Sequence, residues 1–273
     1  MKTPIVFFLA RVIPCLWCVA GMGQATPAAD FVQYFQGRPY DSRYFRPTGS
    51  NAHRAMRTDF QGLRLSLFDA GSRLPVGLVS QFGIRGDFEI TMTFEILRLD
   101  KPAGGNGAGV SIYVSTASLT QEAATLGRFI RPDGDQVFLC HRATTPPGEE
   151  RRHEGKSSPT TALSGNLRLV RKGTALSYQV AEGNRSEFQE LYQTEWAAED
   201  LETIRFAADN GGSPTVIDAY IKAIGIRADE FGPARPVPPP FRWSFEMTML
   251  LMATLLACGG LWLWRRWRRG SYR

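Results

Sequence analysis

Residues 87–96 read Asp-Phe-Glu-Ile-Thr-Met-Thr-Phe-Glu-Ile, an unbroken alternation of polar and apolar side chains. Successive side chains of a strand point to opposite faces, so Phe88, Ile90, Met92, Phe94 and Ile96 form one apolar face. A strand with one wet face belongs to an antiparallel sheet, and its apolar face needs a second layer to cover it. Similar segments lie at 63–67, 110–114, 137–141, 167–170, 176–180, 203–207 and 216–226. Between them stand Gly104-Gly105-Asn106-Gly107, Asp133-Gly134-Asp135, Arg171-Lys172-Gly173, Glu182-Gly183-Asn184 and Asn210-Gly211-Gly212, all rich in residues that tolerate tight turns. Many short strands with such punctuation predict an all-β, antiparallel sandwich or barrel. Helical patterning is scarce, with short candidates at 30–35 and 118–126. The polar, proline-bearing stretch 143–162 reads as a mobile insertion at the rim.

Both chain ends read as targeting segments. Lys2, an apolar stretch and small residues ending at Ala25 resemble a secretory signal peptide, residues 1–25, with cleavage expected after Ala25. Residues 26–231 are then the extracytoplasmic domain, and 232–246 a linker whose first nine residues include five prolines, a composition that favours an extended spacer. Residues 247–264 are 18 residues without a charge, enough for a helix of about 27 Å against a hydrocarbon core of about 30 Å. Arg265, Arg266, Arg268 and Arg269 follow in the tail 265–273, so the positive-inside rule predicts a single-pass membrane protein with its C-terminus cytoplasmic and its domain outside.

The formal charge of +6 comes from these ends. Residues 26–231 hold 23 Lys and Arg against 25 Asp and Glu, a net of −2, which argues against a nucleic-acid surface. Of four cysteines only Cys140 lies in that region, so the domain is expected to fold without an internal disulfide.

Three stretches carry a resemblance: 86–94, then 167–173 leading to Tyr178 and Phe188, then 204–208 leading to Ile217-Asp218 and Ile226. Together they resemble successive strands of the concanavalin A-like, laminin G-like jelly roll. More narrowly the chain resembles a planctomycete-type family of exported proteins of unknown function, with Phe45-Arg46-Pro47 and Gly62-Leu63-Arg64 at matching places. The resemblance spans roughly 36–229 and implies the fold; jelly rolls serve as lectins, adhesion modules and glycosidases alike.

Retaining glycosidases of this fold carry a Glu-x-Asp-x-Glu run, which is missing here. Glu89 and Glu95 would stand about 20 Å apart on one strand, against about 5.5 Å for a retaining pair. Asp87 and Glu89 are close enough in principle for such a catalytic pair, but two acids on the wet face of a strand are usually just solvated. His53, His141 and His153 lack zinc-ligand spacing, and adjacent Cys140 and His141 point to opposite faces. Asp133, Asp135, Asp209 and Asn210 lie in turns without the dense oxygen spacing of a calcium loop. Arg85-Gly86-Asp87 spells an adhesion tripeptide, but its aspartate already begins a strand; Asn184-Arg185-Ser186 is a formal glycosylation sequon. Neither a metal nor a cofactor is expected. Tyr113, Tyr178, Tyr192 and Trp196, with Asp87 and Glu89, are the candidate ligand-binding residues, because aromatic faces stack on sugars. The expectation is a non-enzymatic binding or adhesion module for a glycan or a surface protein, held to lipid by its C-terminal helix. A polysaccharide hydrolase and a structural envelope protein stay open as alternatives.

Overall fold

A computed structural model describes residues 29–49, 51–68, 75–116, 122–146 and 148–233. The expected leader, the linker beyond Pro233, the expected membrane helix and the tail with Arg265, Arg266, Arg268 and Arg269 lie outside the described residues. Among the described residues no helix is long and apolar enough to cross a membrane.

The chain folds through β1 (Ala29–Tyr34), β2 (Phe45–Thr48), the single helical turn α1 (Ala52–Ala55), β3 (Met56–Asp59), β4 (Gly62–Leu67), β5 (Val76–Ser80) and β6 (Ile84–Leu99). There follow β7 (Ala108–Thr116), β8 (Ala123–Ile130), β9 (Gln136–Thr144), β10 (Arg152–Pro159) and β11 (Ser164–Lys172). The last four are β12 (Ala175–Glu182), β13 (Gln189–Glu195), β14 (Leu201–Asp209) and β15 (Ile217–Phe231). Every strand pairing is antiparallel, and a single residue pair, Leu201 with Ile84, joins β14 to β6 and so links two layers. The first layer runs β10-β9-β8-β7-β14-β5-β2. The second runs β13-β12-β11-β6-β15, with the far edge of β15 shared between β4 and β1, and β3 outside β4.

The alternation in β6 sets the core. Phe88, Ile90, Met92, Phe94 and Ile96 are each at most 4% exposed, and each fully buried apolar side chain contributes about 1.5–3 kcal/mol. They face Val110, Ile112 and Val114 of β7 and Ile204 and Phe206 of β14 within one apolar cluster. At one edge Phe45 packs its ring on Phe206 (centroids 6.1 Å apart) and on Phe31 (5.6 Å). Cys140 is a buried free thiol on the inward face of β9, and burial pushes its pKa up to about 12.

Three sequence expectations are corrected. Residues 30–35 are not helical: Ala29–Tyr34 is a strand along β15, in register from Ala29–Ala228 to Tyr34–Ala223. A six-residue helix is marginal alone, and pairing with a long strand satisfies its backbone better. Residues 123–126 of the second helical candidate belong to β8, hydrogen-bonded on both sides by β7 and β9. The supposed rim insertion is largely a hairpin, in which β10 pairs with β9 from Arg152–Thr144 to Pro159–Val137. β10 is an edge strand with no buried residue, so it carries no period of two to read.

The two outward faces differ. On the second layer, long charged side chains neutralise one another: Arg64 with Asp218 at 2.5 Å, Lys222 with Glu95 at 2.5 Å and Arg168 with Glu89 at 3.5 Å. On the first, Val79, Ser111, Ala123, Phe129, Ala143 and Ala207 alternate with core residues, yet each is at most 8% exposed. A cavity lined by Thr125, Phe129, Leu139 and His141 recesses this face.

Candidate functional site

A groove of about 950 Å³ opens on the recessed face of the first layer. Thr125 and Phe129 of β8, Leu139 and His141 of β9 and His153 of β10 line it along the strands. Its far end is closed by the turns at Gly105–Gly107, Arg131–Asp133 and Gly211. Three further cavities among the described residues are smaller: about 190 Å³ beside α1, about 180 Å³ at Asp87 and Glu89, and about 300 Å³ between the edges β10 and β13.

The turns at the groove's end are built by local chemistry. Gly105, Gly107 and Gly211 all have positive φ, and a Cβ on Gly211 would come within 2.2 Å of the Gly107 carbonyl oxygen. Asp133 accepts a hydrogen bond from the Asp135 amide at 2.9 Å, and Asp209 accepts one from the Gly211 amide at 2.9 Å. The two aspartates of the groove therefore fold turns. Among the described residues no group of three or more His, Cys, Asp and Glu side chains gathers to hold a metal ion.

At the other end His141 Nε2 lies 3.1 Å from His153 Nδ1, with ring centroids 5.2 Å apart. The nitrogens are closer than the ring centres by 2.1 Å, so the imidazoles meet along a nitrogen–nitrogen hydrogen bond. One ring donates and the other accepts, which requires at least one of them neutral. Burial, and then the positive charges of His153 and Arg151, hold the pKa of His141 below the usual histidine value. β9 is fixed from beneath by Tyr178, whose hydroxyl donates to the His141 carbonyl at 3.1 Å across the sandwich.

The register adds a row across the strands. Arg46 of β2 faces Val79, Val79 faces Arg205, Arg205 faces Tyr113, Tyr113 faces Thr125 and Thr125 faces His141. All lie on the outward face, because their neighbours Phe45, Leu78, Phe206, Ile112, Leu126 and Cys140 are in the core. The Arg205 guanidinium sits 4.4 Å from the centre of the Tyr113 ring, a cation–π arrangement.

The sequence-predicted site residues are not gathered in one site, although Asp87 and Glu89 share a small cavity on the second layer. Tyr113 lies in the row. Tyr178 and Trp196 are core side chains, 0% and 2% exposed, with no ring face open to a ligand, and Tyr192 packs on Tyr178 at 5.6 Å. Asp87 accepts from the Gly173 amide and Glu89 pairs with Arg168, both in the second layer. His141, His153, Thr125, Phe129 and Arg205 were not among the residues singled out in the sequence as a candidate site, since their proximity depends on strand register. Period two would have put Tyr113 and His141 on outward faces, but not beside each other.

A family model described as "Protein of unknown function (DUF1583) C domain" matches residues 23–240. The chain belongs to this DUF1583 C domain family. No curated protein matches it. Among solved structures, the DUF1583 chain is similar to a Bacteroides ovatus GH16 protein of a mixed linkage glucan PUL, in complex with a G4G4G3G product, at 9% identity and TM-score 0.51. That match covers 72% of this chain and 99% of the other. A structure described under endo-acting O-glycanases of the human gut microbiota matches at 11% identity and TM-score 0.51, covering 72% and 97%. The VIP36 exoplasmic/lumenal domain in its Ca2+/Man2-bound form matches at 10% identity and TM-score 0.48, covering 78% and 93%. At these identities the likeness is one of fold alone: the domain is an all-β antiparallel sandwich consistent with the jelly-roll form of the two structures matched at TM-score 0.51.

Proposed function

We propose that this DUF1583 protein is a membrane-anchored, extracytoplasmic glycan-recognition module that binds its ligand on the recessed face of the first layer and does not cleave it. The observation that carries this reading is the groove of about 950 Å³, a size suited to a small-molecule or oligosaccharide ligand. Phe129, His141 and His153 give it flat apolar and polar surfaces. Binding is favoured over hydrolysis because the groove's aspartates are engaged in turns, while Glu89 and Glu95 are ion-paired on the opposite layer. The two structures of TM-score 0.51 are described with a glucan product and with O-glycanases, and the reading takes the ligand class from them.

Topology supports display away from a membrane. The described chain leaves the sandwich beside Gly83, whose carbonyl accepts from the Gly232 amide at 3.0 Å. The turn at Gly211 lies before the opposite end of β15, a strand of 15 residues and therefore about 50 Å long. With the C-terminal segment in a bilayer, the groove's closed end points away from it. Full-length protein in detergent, applied to an array of plant, algal and mucin glycans, is expected to retain a defined subset with micromolar or tighter affinity and to release no shortened products. Release of products would make it a hydrolase, and an empty array would favour the structural role.

A further inference from the structure

Within the proposed glycan-binding reading, we propose that the ligand is an anionic polysaccharide, bearing carboxylate or sulfate groups, laid across the strands on the row Arg46, Arg205, Tyr113, Thr125 and His141. Arg205 is the central residue. Its guanidinium is half-buried and stacks on Tyr113, its Nε has no hydrogen-bond partner, and no ion pair holds it among the described residues. Burial of Nε leaves the guanidinium partly desolvated, and its accessible N–H groups, with no acceptor among the described residues, can donate charge-assisted hydrogen bonds to an incoming carboxylate or sulfate oxygen. Arg46 stands two strands away in the same row, exposed and about 10 Å distant, where it can meet a second anionic group.

Acids are missing from this part of the face. The outward positions two residues along each strand of the row carry no carboxylate, and Glu202, at the bulge of β14, is already held in an interaction of its own. The second layer presents the contrast, since its outward arginines and lysine face acids at 2.5–3.5 Å. Net charge does not explain an anion preference either, because residues 26–231 carry −2. Tyr113 offers the remainder of its ring to a sugar face, and the row ends at the His141–His153 pair in the groove, so one chain can touch both features.

The test measures binding of full-length protein in detergent to oligogalacturonate, to a sulfated galactan oligomer and to uncharged gluco-oligosaccharides of equal length. At least one anionic oligomer is expected to bind about tenfold or more tighter than the uncharged ones, with affinity falling as salt is raised. Which anionic oligomer wins separates carboxylate from sulfate recognition. Arg205→Gln is expected to weaken that binding about ten- to a hundredfold. Arg98→Gln, which removes the same charge from the second layer beside Asp100, is expected to change it less than twofold. Tighter binding of an uncharged oligosaccharide would overturn the anionic class while leaving glycan recognition standing. Failure of all the oligomers to bind would overturn both. Equal losses in Arg205→Gln and Arg98→Gln, or equal binding of a single-stranded oligonucleotide, would reduce the row to non-specific charge.

Discussion

Phe206→Ala is expected to lower the free energy of unfolding by about 3–5 kcal/mol, the largest single effect anticipated in this domain. Phe206 is 0% exposed and lies on β14, between β7 and β5 in the middle of the first layer. Its ring meets Phe45, which anchors β2 at the sheet edge, so truncation opens a cavity that two strands share. The backbone of β14 is hydrogen-bonded on both sides and cannot collapse into the gap. For a domain of this size each kcal/mol shifts the midpoint by about 2–4 °C, so thermal unfolding of the full chain should fall by roughly 6–20 °C. A shift of a degree or two would mean that the layers are not held together through this residue.

Glu122→Ala is expected to cost about 3 kcal/mol by a different route. Glu122 has a side chain 7% exposed and pairs at 2.5 Å with Arg142, itself 16% exposed. Its second oxygen accepts from the Ala197 amide at 2.7 Å, so one carboxylate joins β9 to the segment before β14. Removing it leaves a buried guanidinium and a backbone donor short of acceptors, and breaking a buried pair from one side typically costs about 3–5 kcal/mol. The lower end is expected because Arg142 keeps Glu154 at 2.6 Å. Glu154 is 48% exposed and screened by water, so Glu154→Ala should cost about 1 kcal/mol or less. Urea unfolding of both variants checks the ordering, and equal losses would contradict the assignment of Glu122 as the buried partner.

The parts of the fold that were legible in sequence are those with one wet and one dry face. β6 declares itself over 87–96, and β11 and β14 over shorter runs, because inward and outward residues there differ in polarity. β10 and β13, at the layer edges, expose both faces over most of their length, so they read as loop. β1 was misread because Phe31, Tyr34 and Phe35 suit a helical face equally well, and only β15 beside it decides for a strand. The candidate site was the least legible part. Tyr113 was visible as an aromatic, but its neighbours Arg205, Thr125 and His141 come from three other strands, and Arg46 from a fifth. Register is fixed by the whole sandwich, so no local pattern announces the row. Conversely Tyr178 and Trp196 look like sugar platforms in sequence and prove to be core, because aromatic residues serve both uses.

The central claim is that the recessed face of the first layer is where this protein meets its ligand, and hydroxyl-radical footprinting of the full-length protein with its best-binding glycan tests it most directly. The account predicts ligand-dependent protection of Tyr113, His141 and His153, with no change at Phe188, which stacks under Arg168 on the second layer, or at Tyr34, 57% exposed on β1. Protection confined to Phe188 or Tyr34, with Tyr113 and the histidine pair as reactive as in the free protein, would contradict it.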